Sequence, residues 1–318
     1  MNVQNATLKQ AGYFTPASVA EALDAARRTE RDFKYVAGGT DVMPLKQQKL
    51  IAECAMIDLS GILELRSLHS SKAGLEIGSL VTLDQLVKSG EINRDYPILA
   101  AAAASIASPV LRKSATVGGN LLVDNRCTFY NQSHFWRDSI GSCLRDTGDK
   151  CLVTGIVGGK CFARGVSDLL PALIALAAHV EVQDYELKWN SPLEELFVQD
   201  GLRPVPNLKA ESIIQSLRIP APVRRWYFRK LRTRRSMDFT SLTVAAVKDM
   251  NDSVRICLNG IAMAPLLISG KLTELSLEQI IHQTRLKSKI VDNDLLPLGC
   301  RKNMMDVFLR EAWDAVCL

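Results

Sequence analysis

The 318 residues are 47% hydrophobic and 23% charged, the balance of an ordinary globular protein with enough length for two domains or one elaborate one. A net charge of +5, spread along the chain apart from a dense run at Arg224–Arg235, requires no nucleic-acid partner. The sequence opens on no charged-then-apolar leader and holds no apolar run of the roughly 20 residues that span a bilayer, so a cytoplasmic protein with no membrane partner is expected.

The first predicted element is a helix, with Thr15 at its N-cap, Pro16 in its first turn, and Val19, Ala22, Leu23 and Ala26 at helical spacing. The segment FKYVAGGTDVM, Phe33 to Met43, reads as a short strand running into Gly38-Gly39, and Met56 to Leu59 as another, giving a small β-α-β-like unit. A second unit starts at Leu75 (LEIGSLVTL). It continues in a helix over Leu83 to Lys88 and an alanine-rich helix over Ile98 to Ala107 closed by Pro109, and it reaches a second glycine pair in ATVGGNLL.

From Asp124 to Arg164 the apolar periodicity fades, while Gly, Asp, Arg and four Cys accumulate over a length that loops rarely reach without a function. Something other than a hydrophobic core is expected to order this stretch. Regular structure resumes at Ser167 to Val182, a helix passing into a strand, and the proline-punctuated passage Arg203 to Pro222 is the candidate domain boundary. Strand-like runs follow at Ser241 to Val247 and Val254 to Leu258. A helix then starts at Ser276-Leu277-Glu278-Gln279, which has capping-box form, and a last helix covers about Lys302 to Val316.

Two loops stand out, Ala37-Gly38-Gly39-Thr40-Asp41 and Thr116-Val117-Gly118-Gly119-Asn120. Each follows an apolar segment and combines paired glycines with a hydroxyl and a carboxylate or amide. Glycine lacks the Cβ that would keep backbone N–H groups away from a phosphate. One such loop usually means only a tight turn; two, in a chain without a G-x-G-x-x-G or P-loop, suit a pyrophosphate held between them.

With the segments YFTPASVAEAL, IGSLVTLDQL, SDLLPALIAL and FRKLRTRRSMDFTSLTVAAV, these loops resemble the flavoprotein (medium) subunits of molybdenum hydroxylases over nearly the whole chain. The resemblance implies an α+β fold: a two-subdomain FAD-binding (PCMH-type) domain over 1–222, then a smaller C-terminal α+β domain over 223–318 with antiparallel sheet and helices. It places Val36, Ala37, Gly38, Gly39, Thr40, Asp41, Val42 and Met43, with Thr116, Gly118, Gly119 and Asn120, around FAD, Ser108 leading into the second loop. It also puts Asp168 and Lys230 near the flavin. The chain departs from the family pattern at Leu111-Arg112-Lys113, where I-R-N is usual, and in NGIAMAPLLI, where a family arginine has no match.

Cys127, Cys143, Cys151 and Cys161, separated by 16, 8 and 10 residues, lie in an insertion at about 124–164. Four thiolates complete the ligand set of an iron–sulfur cubane or a tetrahedral zinc, and metal ligation would order a segment poor in apolar residues. The spacing holds no C-x-x-C, so free thiols, zinc and iron–sulfur all stay open on chemistry alone.

Within the family, the insertion resembles the one that binds a [4Fe–4S] cluster in the flavoprotein subunit of 4-hydroxybenzoyl-CoA reductases. That implies electron transfer from ferredoxin through the cluster and FAD towards a large molybdenum-cofactor subunit, beside a small subunit with two [2Fe–2S] clusters, for reductive dehydroxylation of 4-hydroxybenzoyl-CoA. The alternatives are the FAD subunit of another molybdenum hydroxylase acting on an aromatic or heterocyclic substrate, and a zinc-stabilised, non-catalytic binding protein.

The remaining features carry blander readings. Cys54, Cys257, Cys300 and Cys317 sit among apolar neighbours as small hydrophobes. The four histidines, His69, His134, His179 and His282, form no catalytic motif; Asp124, Asp138, Asp146 and Asp149 lack calcium-loop spacing; RRWYFRKLRTRR reads as a strand.

Overall fold

The computed structural model describes residues 12–29, 32–220, 222–223 and 225–317. Ala221 and Arg224, inside the expected boundary and at the head of the basic run, lie outside the described residues.

A small parallel sheet comes first, with strands β1 (Tyr13–Phe14), β2 (Phe33–Val36) and β3 (Ala55–Asp58) in the order β1-β3-β2. Helix α1 (Val19–Arg28) turns Val19, Ala22, Leu23 and Ala26 into one core with Phe33, Ile57 and Leu65. Its N-cap is Ser18 and not Thr15: Ser18 Oγ accepts from the Glu21 N–H at 3.2 Å, and the Glu21 carboxylate accepts from the Ala17 N–H. Helix α2 (Val42–Gln47), which the strand-and-glycine pattern hides, starts directly after the first glycine loop.

An antiparallel five-stranded sheet follows, order β4-β5-β8-β6-β7, from β4 (Leu68–Ser71), β5 (Gly74–Gly78), β6 (His179–Gln183), β7 (Lys188–Pro192) and β8 (Ile213–Ile219). Between β5 and β6 run α3 (Leu83–Lys88), α4 (Gly90–Asp95), α5 (Pro97–Ala104), α6 (Pro109–Arg112), α7 (Val117–Leu121), α8 (His134–Ile140) and α9 (Leu169–Ala175). Thr82 and Gln85 close a reciprocal capping box on α3. Every residue of α9 is buried, which suits a sequence apolar on all sides.

The third sheet is antiparallel, β12-β11-β10-β9, from β9 (Arg225–Leu231), β10 (Leu242–Lys248), β11 (Ser253–Asn259) and β12 (Leu266–Lys271). Successive strand residues face opposite ways, and here both faces are covered. Leu242, Val244 and Ala246 of β10 join a core with α10 (Leu277–Lys287) and α11 (Leu298–Cys317), while Ala245 and Val247 join the core of the five-stranded sheet. That double burial explains the unbroken apolar run in β10. Ser276 caps α10 in the expected capping box.

The stretch Asp124 to Arg164, expected to be ordered by something other than a hydrophobic core, has a small apolar cluster of its own, with Phe129, Tyr130, Leu144 and Val153 packed on Cys127, Cys161 and Ala163. Backbone hydrogen bonds between Arg126 and Arg164, at 2.9 and 3.0 Å, close its neck, and α8 lies inside it. No helix among the described residues is long and apolar enough to cross a membrane.

Candidate functional site: the paired glycine loops, the cleft and the cysteine cavity

The two glycine loops meet. A Cβ on Gly38 would fall 1.8 Å from the Ser114 carbonyl oxygen, so the first loop lies against the backbone leading into the second. Gly118 is also enclosed, though less tightly, its added Cβ 2.9 Å from that of Ser79. The second glycine of each pair differs. Gly39 takes a left-handed φ of +67° with only side chains near it, and a Cβ added at Gly119 would meet only the Thr116 hydroxyl, at 3.0 Å. One glycine of each pair therefore welds the loop to the protein, and the other leaves backbone approachable.

The second loop is the first turn of a helix. Thr116 Oγ1 accepts from the Gly119 N–H at 3.2 Å, and Asn120 Oδ1 accepts from Ser167 Oγ at 2.9 Å and the Leu169 N–H at 3.3 Å, tying α7 to α9. Ser108 caps α6 through the Leu111 N–H, and Arg112 of the Leu111-Arg112-Lys113 triplet donates to the Ala104 and Ile106 carbonyls. Asp168 and Lys230 form a buried ion pair. Lys230 Nζ also donates to the Ser105 carbonyl at 3.2 Å and the Asp238 carbonyl at 2.9 Å, so its three protons are spent on the protein. Burial pushes the Asp168 carboxyl up, against the pull of Lys230; Thr243 Oγ1 donates to its other oxygen at 2.8 Å.

Beside the loops a cleft of ≈ 790 Å³ opens along β2 and α2, with residues 121–125, which follow the second loop, on its other side. Asp41, Val42, Tyr35, Asn125, Ser167 and Asn259 are among its walls; of the residues expected at the cofactor, only Asp41 and Val42 line it. Burial raises the Asp41 carboxyl above its ordinary range while the Arg126 guanidinium, paired with it, pulls the other way. Arg126 also stacks over Phe239, 4.4 Å from the ring centroid.

Cys127, Cys143, Cys151 and Cys161 line one small cavity, with Phe129, Tyr130, Leu144, Arg145 and Val153 among its other walls. All four thiols are free. Burial pushes Cys127 up and Cys161 up to about 11, although the Ala163 N–H donates to the Cys161 sulfur at 3.3 Å. At Cys151 burial acts the same way, but hydrogen bonds from Thr154, Val153 and Phe162 outweigh it and lower the thiol.

Among the described residues no group of three or more His, Cys, Asp or Glu side chains is arranged to hold a metal ion. Four thiols on one cavity match the ligand count of a tetrahedral zinc and of a four-thiolate iron–sulfur cluster alike.

The family described as "FAD binding domain in molybdopterin dehydrogenase" matches residues 7–222. The chain belongs to this family. It is 31% identical to the aldehyde oxidoreductase FAD-binding subunit PaoB of Escherichia coli over 81% of this chain and 83% of that one. It is 29% identical to the nicotine 6-hydroxylase medium subunit of Paenarthrobacter nicotinovorans, over 78% and 74%. A chain of carbon monoxide dehydrogenase from Hydrogenophaga pseudoflava has the same fold, with a TM-score of 0.74 at 19% identity, covering 96% of this chain and 97% of that one.

The chain is thus the FAD subunit of a molybdenum-hydroxylase-type oxidoreductase. The two loops suit such a cofactor: a Cβ at Gly38 would push the first loop off the Ser114 carbonyl that leads into the second, and one at Gly118 would push α7 off Ser79. In this FAD-binding subunit, sequence reasoning missed Arg126, Tyr130, Arg145 and Asn259. Arginines were visibly dense between 124 and 164, but nothing in the order of residues signals that Arg126 meets Asp41. Asn259, in the stretch that departs from the family pattern, donates to the Ser167 carbonyl at 2.8 Å and leaves its own buried Oδ1 without a hydrogen-bond partner.

Proposed function

We propose that this chain carries electrons between a [4Fe–4S] cluster on Cys127, Cys143, Cys151 and Cys161 and an FAD on the paired glycine loops, within a complex that adds a molybdenum-cofactor subunit and a small subunit with two [2Fe–2S] clusters. The observation that carries this reading is a shared wall: Tyr130 and Arg145 line both the cysteine cavity and the cleft. Val36 to Met43, with Thr116, Gly118, Gly119 and Asn120, form the FAD cradle; Ser108, Asp168 and Lys230 brace it through α6 and β9. The division at Pro222 belongs to the same proposal.

When bound, the pair would join one-electron exchange at the cluster to the two-electron capacity of the flavin. Cys127, Cys143, Cys151 and Cys161 would hold the cluster and the glycine loops the flavin, with Tyr130 and Arg145 on the wall that the two cavities share. A one-electron donor such as ferredoxin would enter at the cysteine site, and the resemblance of the insertion points to 4-hydroxybenzoyl-CoA as the thioester reduced at the molybdenum subunit. A second reading reverses the flow. The long matches to an aldehyde oxidoreductase subunit and a nicotine hydroxylase subunit favour oxidation of an aldehyde or an aromatic heterocycle, with FAD receiving the electrons.

The test is metal and flavin analysis of the anaerobically purified complex, with low-temperature electron paramagnetic resonance of the dithionite-reduced chain. A reduced [4Fe–4S] signal alongside FAD is expected; flavin-loaded protein with zinc, or with no metal, would overturn the cluster. Turnover of 4-hydroxybenzoyl-CoA with a reduced donor, against turnover of aldehydes and heterocycles with an acceptor, separates the two directions.

A further inference from the structure

We infer that Arg145 is a positioning residue whose single positive charge sets the electrostatics of the cysteine site and of the cleft together, so the two centres are tuned as one. This rests on the reading that the cavity holds a cluster and that an FAD on the glycine loops extends into the cleft beside them, which Asp41 and Val42 also line.

Arg145 lies two residues after Cys143, and its side chain is only 9% exposed. Its guanidinium donates to the Asn125 carbonyl and to the Asp124 carboxylate, both on the cleft wall. It also packs 4.6 Å from the centroid of the Tyr130 ring, the other residue common to both cavities. Asp124 is its one carboxylate partner among the described residues and is partly open to solvent. The neighbouring cation, Arg137, also packs on Tyr130 but at 5.8 Å, and is paired with Asp146. Arg137 lines neither cavity.

Electrons arriving at either centre add negative charge, and a fixed buried cation favours the form that carries more of it. Because the guanidinium is anchored by bonds on the cleft side while its chain neighbour Leu144 and Cys143 face the cavity, neither site can lose this charge without the other. Tyr130 keeps the fork in place by covering one of its faces.

The experiment compares the wild-type chain, Arg145→Gln and Arg145→Lys after anaerobic purification. Iron and flavin contents are measured, followed by redox titration with the cluster read by electron paramagnetic resonance and the flavin by visible absorbance. Both midpoint potentials are expected to fall in Arg145→Gln and to return most of the way in Arg145→Lys. A shift in one centre alone, in neither, or of equal size in the two variants would overturn the inference. If Arg145→Gln fails to retain its cofactors, Asp124→Asn serves instead: removing the carboxylate that partly neutralises Arg145 should raise both potentials, and an unmoved pair would overturn it. A wild-type chain without iron would instead refute the cluster reading and take this inference with it, a result distinct from loaded chains with unmoved potentials.

Discussion

Replacing Gly38 by Ala puts a methyl group where the Ser114 carbonyl already sits. The added Cβ would lie 1.8 Å from that oxygen and 2.5 Å from its carbon, and contacts under 3.0 Å require something to shift. The obstacle is backbone, so the two glycine loops must part by more than 1 Å. An N–H···O bond of about 2.9 Å stretched that far ceases to be one. Losing one such bond to a charged phosphate removes about 1.5–3 kcal/mol, which weakens FAD binding about 10- to 150-fold. Overpacking adds a loss of about 1–3 kcal/mol in stability. Flavin affinity by fluorescence titration and thermal melting by circular dichroism read the two effects. Gly90→Ala is the control, since nothing lies within 4 Å of its added Cβ, and it should match or slightly exceed the wild type. A Gly38→Ala chain that melts and binds FAD like Gly90→Ala would refute the argument that apposition of the loops builds the cradle.

Lys230→Met leaves Asp168 buried without its cation and should cost about 3–5 kcal/mol in denaturant unfolding; adding Asp168→Leu should recover part of that loss, and a double variant no better than the single would count against the pair. Burial alone would raise the Asp58 carboxyl, but hydrogen bonds from the Tyr13 hydroxyl and Ser60, with the nearby Arg66 charge, bring it below its usual value. Its contribution is therefore present above the ordinary aspartate pKa of about 3.9 and lost as pH falls through the lower folded value. The melting difference between wild type and Asp58→Asn should shrink over that acid window and stay constant at neutral pH. Cys143→Ser should abolish iron binding and retain FAD, because Cys143 does not line the cleft; metal analysis and flavin absorbance decide it, and loss of both cofactors would contradict the geometry.

Elements with an apolar stripe were legible in the sequence: α3, α10, α11 and the strands β10 and β11 lie close to where periodicity places them. Helix α8 was not, because its sequence HFWRDSI leaves Phe135 82% exposed and shows no buried stripe to detect. The N-cap of α1 was ambiguous by chemistry, since Thr15 and Ser18 can both cap; Glu21, three residues after Ser18, and a bond from the Val19 N–H to Glu64 at 2.9 Å favour the later start. At the candidate site the glycine loops were visible because glycine pairs are a local signal. The pairing of Asp41 with Arg126 joins residues 85 apart and depends on tertiary packing, so no local pattern could announce it.

The narrow neck at Arg126 and Arg164 has a consequence for how such a chain can change. Two backbone hydrogen bonds bring the ends of the segment together, so a stretch of this kind can be gained or lost with little disturbance to the strands and helices that carry it. It is not free of consequence for the cleft, however, because Tyr130 and Arg145 leave with it. The segment that houses the four cysteines therefore also closes one flank of the cleft, and cutting it out at the neck would open that flank to solvent.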